Sequence, residues 1–313
     1  RVVLDPVQVD PSGETNIDWF VPSPDGTRVG VSLSEHGNED GTLHVYDVRS
    51  GEQVGPPIPH VNAMGGSMAW RHDGCGFWYT LPADAEGFEQ QVWFREVAAG
   101  TDTLDLTGPF AEPKISENFL SSSPDGRWVL DRVQKGDGGE WQVFVRSQDG
   151  VVGWWQVADI PDRCIHAVLG SDALYLLSRD GAPHGQVLRL PLQPGVTVAD
   201  ATTVVPAGER AIDDVAVTAG TVWVVELDGG PQQVRRFDLD GTELPPVELP
   251  PVSSVSFYFV RLTVLRPDLV AWRATSFTDP GHWWVTADGC DPTPTGLRTT
   301  TSADLTRYRV TRE

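Results

Sequence analysis

At 313 residues, 40% of them hydrophobic and 21% charged, the chain is long enough to bury one large β domain or two ordinary ones. No run approaches the roughly 18 consecutive apolar residues of a membrane span, which points to a soluble protein with no membrane partner. The net charge of −21, from 23 basic against 44 acidic side chains, repels phosphate backbones and argues against a nucleic-acid partner.

Glycine and proline are plentiful, at 32 and 25 residues, which suits many tight turns better than long helices. The acidic residues are spread along the chain and form no tail, as expected of a solvated surface. Cys75, Cys164 and Cys290 stand far apart with no CxxC spacing. So sparse and odd a set argues against a disulfide framework and favours a reducing, cytoplasmic compartment.

In chain order, the first clear unit is "DWFV", the turn "SPDG" at Ser23 to Gly26, then the alternating run "TRVGVSLS". The same arrangement recurs as "SMAW", "RHDG" at Arg71 to Gly74 and "CGFWYTL". A third copy is "NFLS", "SPDG" at Ser123 to Gly126 and "RWVLDRV". An X-Asp-Gly turn between alternating runs predicts a hairpin, because glycine reaches positive φ without steric cost. A third strand is expected after each hairpin, as "TLHVYDV", "QQVWFREV" and "WQVFVRS", and a Gly-containing turn then leads to a fourth. Weaker copies turn near Gly170, Gly220 and Asp268. The six turns recur about every 48 residues, and four short strands per such repeat is the pattern of a β-propeller blade. The expected fold is therefore all-β, a propeller of four-stranded antiparallel blades, with six blades readable. No blade ends in Trp-Asp as in WD40 repeats, no kelch pattern fits, and "SPDGRW" departs from the sialidase Asp-box.

The segments "FVPSPDGTRVGVSLSEHGNEDGTLHVYDVRSGEQV", "MAWRHDGCGFWYT" and "SENFLSSSPDGRWVLDRVQKGD" together resemble the non-catalytic propeller of the prolyl oligopeptidase family of serine peptidases. The closing "SADLTRYRVTRE" resembles the strand by which that propeller hands over to its peptidase domain. The motifs are dense to about Val133, and from about Arg163 onward spacing carries the likeness. The resemblance implies a seven-bladed family type, with "RVVLDP" at Arg1 to Pro6 as the last strand of a first blade. By this reading residues 1–313 form a single propeller domain cut at both ends, without the α/β-hydrolase peptidase domain; alternatively, the six repeats close by themselves.

The stretch "MGGSMAW" at Met64 to Trp70 has the look of a nucleophile elbow at Ser67. A working elbow is a strand-turn-helix, however, and the residues after Ser67 are predicted to form strand, turn and strand. His166, His184 and His282 lie downstream on unrelated repeats with no motif around them, so no triad is expected and the chain alone is not an enzyme. The seven histidines never pair at metal-ligand spacing, and "GNEDGT" at Gly37 to Thr42 lacks the alternating oxygens of a calcium loop. No phosphate-binding glycine motif is present, and no cofactor is expected. Trp154-Trp155 and Trp283-Trp284 are expected to pack between blades, since adjacent strand residues face opposite ways and only one of each pair could meet a ligand.

The resemblance also implies a gating role, in which the propeller covers the active site of the peptidase domain, its partner. Short peptides are admitted for cleavage after proline and folded proteins are kept out. Two places in the family's cavity wall map here, at Gly65 before "MAW" and at Asp137 in "VQKGDGG". Both depart from the family pattern, which has an aromatic and a cysteine there. The candidate wall residues are therefore Gly65, Gly66, Ser67, Gln134, Lys135 and Asp137. A reading from a different class is a free-standing propeller that binds a protein or peptide on one face, by fold analogy.

Overall fold

The computed structural model describes residues 2–62, 67–83, 89–108, 110, 116–136, 139–255 and 261–311. Its strands form six four-stranded antiparallel sheets, each with its strands in sequence order, the topology of propeller blades. The sheets fall in two compact units of three, Arg1–Ile160 and Pro161–Glu313.

In the first unit the first blade contains β1 (Thr15–Pro22), β2 (Arg28–Glu35), β3 (Asp40–Asp47) and β4 (Ile58–Asn62). The second contains β5 (Met68–Trp70), β6 (Gly76–Pro82), β7 (Gln90–Glu96) and β8 (Thr101–Leu106). The third contains β9 (Ser116–Ser122), β10 (Trp128–Lys135), β11 (Trp141–Ser147) and β12 (Trp155–Ala158). Each X-Asp-Gly turn joins the first two strands of its blade, as predicted. Ser23 Oγ donates to Asp25 Oδ1 at 2.6 Å and accepts the Arg28 N–H at 2.9 Å, while Asp25 accepts the Thr27 N–H at 3.0 Å. The third blade repeats this with Ser123, Asp125 and Trp128. Gly26 and Gly126 hold φ of +68° and +71°, where a Cβ is disfavoured.

The second strand of each blade lies between its own first and third, and β6 is covered on both faces by the first and third blades. Consequently Phe77, Trp78 and Tyr79 on β6 are all buried. Phe77 and Tyr79 pack with Leu43, Val45 and Val61 of the first blade. Trp78 faces the other way, onto Leu120 and Val129 of the third.

The second unit repeats the scheme. Its blades are β13 (Cys164–Leu169) to β16 (Thr202–Val205), β17 (Ala211–Val217) to β20 (Glu243–Val247), and β21 (Thr263–Arg266) to β24 (Thr293–Arg298). The expected turns near Gly170, Gly220 and Asp268 again separate the first two strands. The middle runs "ALYLLS" (β14, Ala173–Ser178) and "VWVVEL" (β18, Val222–Leu227) are buried along nearly their whole length. Such runs lack the polar alternation of a half-exposed strand, yet their spacing still marks the blades.

Two expected strands are not formed among the described residues: the closing "SADLTRYRV" carries one 3-10 turn, Leu305–Arg307, and no strand, and the opening segment forms none either. In place of a strand at Arg1 to Pro6, Pro6–Val9 makes a single helical turn, α1. Asp5 caps it, accepting the Val7 N–H at 3.1 Å, and the fixed φ of Pro6 suits the first helical position. Val3 and Leu4 pack against Val31, Leu33 and Tyr46 of the first blade.

Candidate functional site

Ser67 stands immediately before β5, at the seam between the second and third blades. Its Oγ accepts the Leu120 N–H at 2.6 Å and donates to the Asn118 carbonyl at 3.2 Å, both on β9. Its own N–H donates to Thr80 Oγ1 of β6 at 3.0 Å. Ser122 Oγ on β9 returns a bond to the Trp70 carbonyl at 2.6 Å, so the first strands of the two blades are joined at both ends of β5. Behind Ser67, Asn118 Nδ2 donates to Asp131 Oδ2 on β10 at 2.7 Å, with both side chains fully buried. Burial pushes the Asp131 carboxyl up to about 7, against the opposing pull of Asn118 and Arg132.

Gln134 pairs with Glu117 on one side and Trp141 on the other. Asn118 pairs with Val133, so the Ser67 contact on β9 and Gln134 on β10 are one register step apart. Strand alternation nevertheless puts Gln134 on the face of Arg132, whose guanidinium sits 5.5 Å over the Trp141 ring, opposite to the face of Asp131. Lys135 closes β10 opposite Ser116. Gly65, Gly66 and Asp137 lie outside the described residues.

The same seam has a second polar node that sequence reasoning missed. A bulge in β8 falls at Asp105, between the pairs of Leu104 and Leu106. Asp105 Oδ2 accepts Trp78 Nε1 at 2.9 Å and Trp154 Nε1 at 2.9 Å, and pairs with Arg146. Trp154 thus packs between blades as expected, while Trp155 stands edge-on to Trp128 at 5.6 Å. In the second unit Trp284 packs against the core shared by the fifth and sixth blades. The signal for Asp131 and Asn118 was present as polar letters inside buried strands. Nothing local marked Asp105, because its partners come from other strands.

As a nucleophile Ser67 has no support from this geometry. Its hydroxyl is bonded to the β9 backbone on both its donor and acceptor sides, and it is succeeded by strand, turn and strand. The buried pair His166 Nε2–Asp214 Oδ1, at 3.6 Å, belongs to the second unit, where Asp214 also accepts the Leu262 N–H at 2.9 Å and meets Arg261 at 3.2 Å. Burial pushes the Asp214 carboxyl up and Arg261 opposes it, as in a structural link between blades. Among the described residues no group of three or more His, Cys, Asp and Glu could hold a metal ion, and no helix is long and apolar enough to cross a membrane.

A family model described as the prolyl oligopeptidase N-terminal beta-propeller domain matches residues 1–287. The chain is similar to a structure from a study of two prolyl endopeptidases and the role of inter-domain dynamics in their catalysis and specificity. That match has 25% identity and a TM-score of 0.81, over 98% of this chain and 44% of the other. Its fold is also similar to apo prolyl oligopeptidase B from Galerina marginata, with 14% identity, a TM-score of 0.78, and 96% and 45% of the two chains covered. The same fungal protein bound to a 35mer hydrolysis and macrocyclization substrate matches at 15% identity and a TM-score of 0.77, over 96% of this chain and 45% of that one. The chain therefore spans less than half the length of these neighbours. No curated protein sequence matches it.

Proposed function

The chain belongs to the prolyl oligopeptidase N-terminal β-propeller family, and on that premise we propose that it is the non-catalytic, substrate-selecting propeller of a serine endopeptidase. The parent enzyme cleaves short peptides after proline, and the propeller limits the access of folded proteins to a peptidase domain in the same polypeptide. The observation that carries this reading is the family match over residues 1–287. It is supported by the commitment of the elbow-like Ser67 to a blade seam.

The selection is by size. Sheets whose cores interlock and whose seams are pinned by side-chain bonds make stiff walls, and a substrate must fit the enclosed space or enter when the domains part. In this reading the stretch around Gly65, Gly66 and Ser67, the end of β10 at Gln134 and Lys135, and Asp137 belong to that wall. The sparse cysteines favour a cytoplasmic setting.

The test compares the intact parent polypeptide with a version lacking residues 1–313, on a short Gly-Pro peptide and on a folded protein with exposed prolines. The expected result is that the short peptide is cleaved by the intact enzyme and that the folded protein becomes a substrate only without the propeller. Equal protection in both would overturn the gating role. The 313-residue chain alone is expected to turn over no chromogenic Gly-Pro substrate and to resist fluorophosphonate labelling.

A further inference from the structure

Asp131 and Asn118 are each 0% exposed, and one bond joins them, from Asn118 Nδ2 to Asp131 Oδ2 at 2.7 Å. The other oxygen of each side chain, Asp131 Oδ1 and Asn118 Oδ1, is buried without a partner. Burying bare acceptors is costly, and here two stand on the same pair of side chains. A single proton satisfies both. A carboxylic acid O–H at Oδ1 donates to the amide oxygen while the amide N–H donates to the acid carbonyl, which closes a ring of two hydrogen bonds.

The surroundings favour the neutral form. By register Asp131 lies between Leu120 and Phe144, both apolar. The charged group acting on it is Arg132, whose guanidinium stacks over Phe119 and Trp141 on the opposite face. No second carboxylate or histidine acts on it among the described residues.

We propose that Asp131 carries a proton and pairs with Asn118 as a cyclic acid–amide couple, making the seam between the second and third blades a pH-sensitive latch. The link across the seam runs through the main chain of Asn118, whose backbone carbonyl, not its side-chain amide, is the acceptor for Ser67 Oγ of the second blade. When the proton passes to solvent, the acid loses its donor and a carboxylate is left in an apolar layer. The pair belongs to the seam, and its chemistry is the same whatever partner the propeller has.

The folded chain holds this proton more tightly than the unfolded one, so the latch is strongest in acid. Its contribution falls as pH rises from about 4, the unfolded carboxyl value, and levels off above about 7.

The experiment is urea unfolding of the chain between about pH 5 and pH 8.5, for the natural sequence and for Asp131→Asn. An asparagine there makes the same two-bond ring with Asn118 and carries no proton to lose. The natural chain's folding equilibrium constant is expected to fall, relative to the variant, about tenfold per pH unit up to about pH 7 and then level off. Parallel profiles would overturn the latch. Should the variant not fold, infrared spectra of the natural chain decide. At pH 6 ordinary carboxyls are ionised, and Asp214→Asn removes the other carboxyl that burial raises; a protonated carboxyl stretch in that background, present at pH 6 and lost at pH 8.5, supports the pair, and its absence at pH 6 overturns it.

Discussion

Ser67 Oγ accepts the Leu120 amide at 2.6 Å, so one blade completes the backbone bonding of the next with a side chain, not a strand. Removing that hydroxyl leaves a buried N–H without its acceptor. Ser67→Ala is expected to cost about 1–3 kcal/mol, seen as a lower urea midpoint at unchanged slope. Fluorophosphonate labelling is expected to be absent before and after the change. Loss of measurable hydrolysis in the variant would instead mark Ser67 as a nucleophile.

Gly26 and Gly126 occupy the same place in two copies of one turn but have different neighbours. Alanine at either residue is strained by about 1 kcal/mol at positive φ. A Cβ at residue 26 meets nothing within 4 Å, whereas at residue 126 it would lie 2.2 Å from the His72 ring. Gly126→Ala is expected to destabilise by about 1–3 kcal/mol more than Gly26→Ala, read as a larger drop in melting temperature. Equal drops would mean that the turn of the third blade does not rest on that of the second.

Asp105 holds two indole N–H groups and the Arg146 guanidinium on one oxygen. Asp105→Ala strands all three donors in a half-buried seam and is expected to cost about 3 kcal/mol. Tryptophan emission should shift to the red as Trp78 and Trp154 lose their partner. A variant as stable as the parent would show that the node is dispensable.

Cys164 is buried, and burial, with Asp162 nearby, pushes its thiol up to about 12, while Cys75 and Cys290 are exposed. A thiol reagent at about pH 8 should therefore titrate two cysteines in the native chain and the third only in denaturant. Three fast reactions would contradict the burial of β13.

The turn aspartates act in the opposite sense to Asp131. Bonds from Ser23 to Asp25, and from Arg71 to Asp73, hold these carboxyls below the ordinary value. A depressed folded pKa gives stability that is present above the unfolded value, near 4, and lost as pH falls through the folded one. Asp25→Asn should flatten the acid limb of the stability profile and lower the level above pH 5 without changing its slope. A change confined to higher pH would refute the assignment.

The amino-acid sequence by itself determined the blades. A Ser-Pro-Asp-Gly turn is self-sufficient, because Ser23, Asp25 and Gly26 satisfy one another's bonding and geometry within six residues, and the flanking alternation then dictates two strands. The first three turns were legible for that reason and the last three from their spacing, and the family resemblance came from the segments around the first three. The opening segment reads as a strand, but Val2 to Asp5 form none and Pro6–Val9 make a capped helical turn, because Asp5 and Pro6 supply a local cap and a fixed φ.

Only the tertiary structure decided the seam. The partners of Ser67 lie 51 and 53 residues away, and Arg146 lies 41 residues from Asp105. No periodicity names such pairs, since they arise from which faces of two stacked sheets abut. The same holds for Asp131, an aspartate amid "WVLDRV" that reads as an interruption in a buried strand. Full burial and one amide partner, Asn118, turn that interruption into a site for a proton.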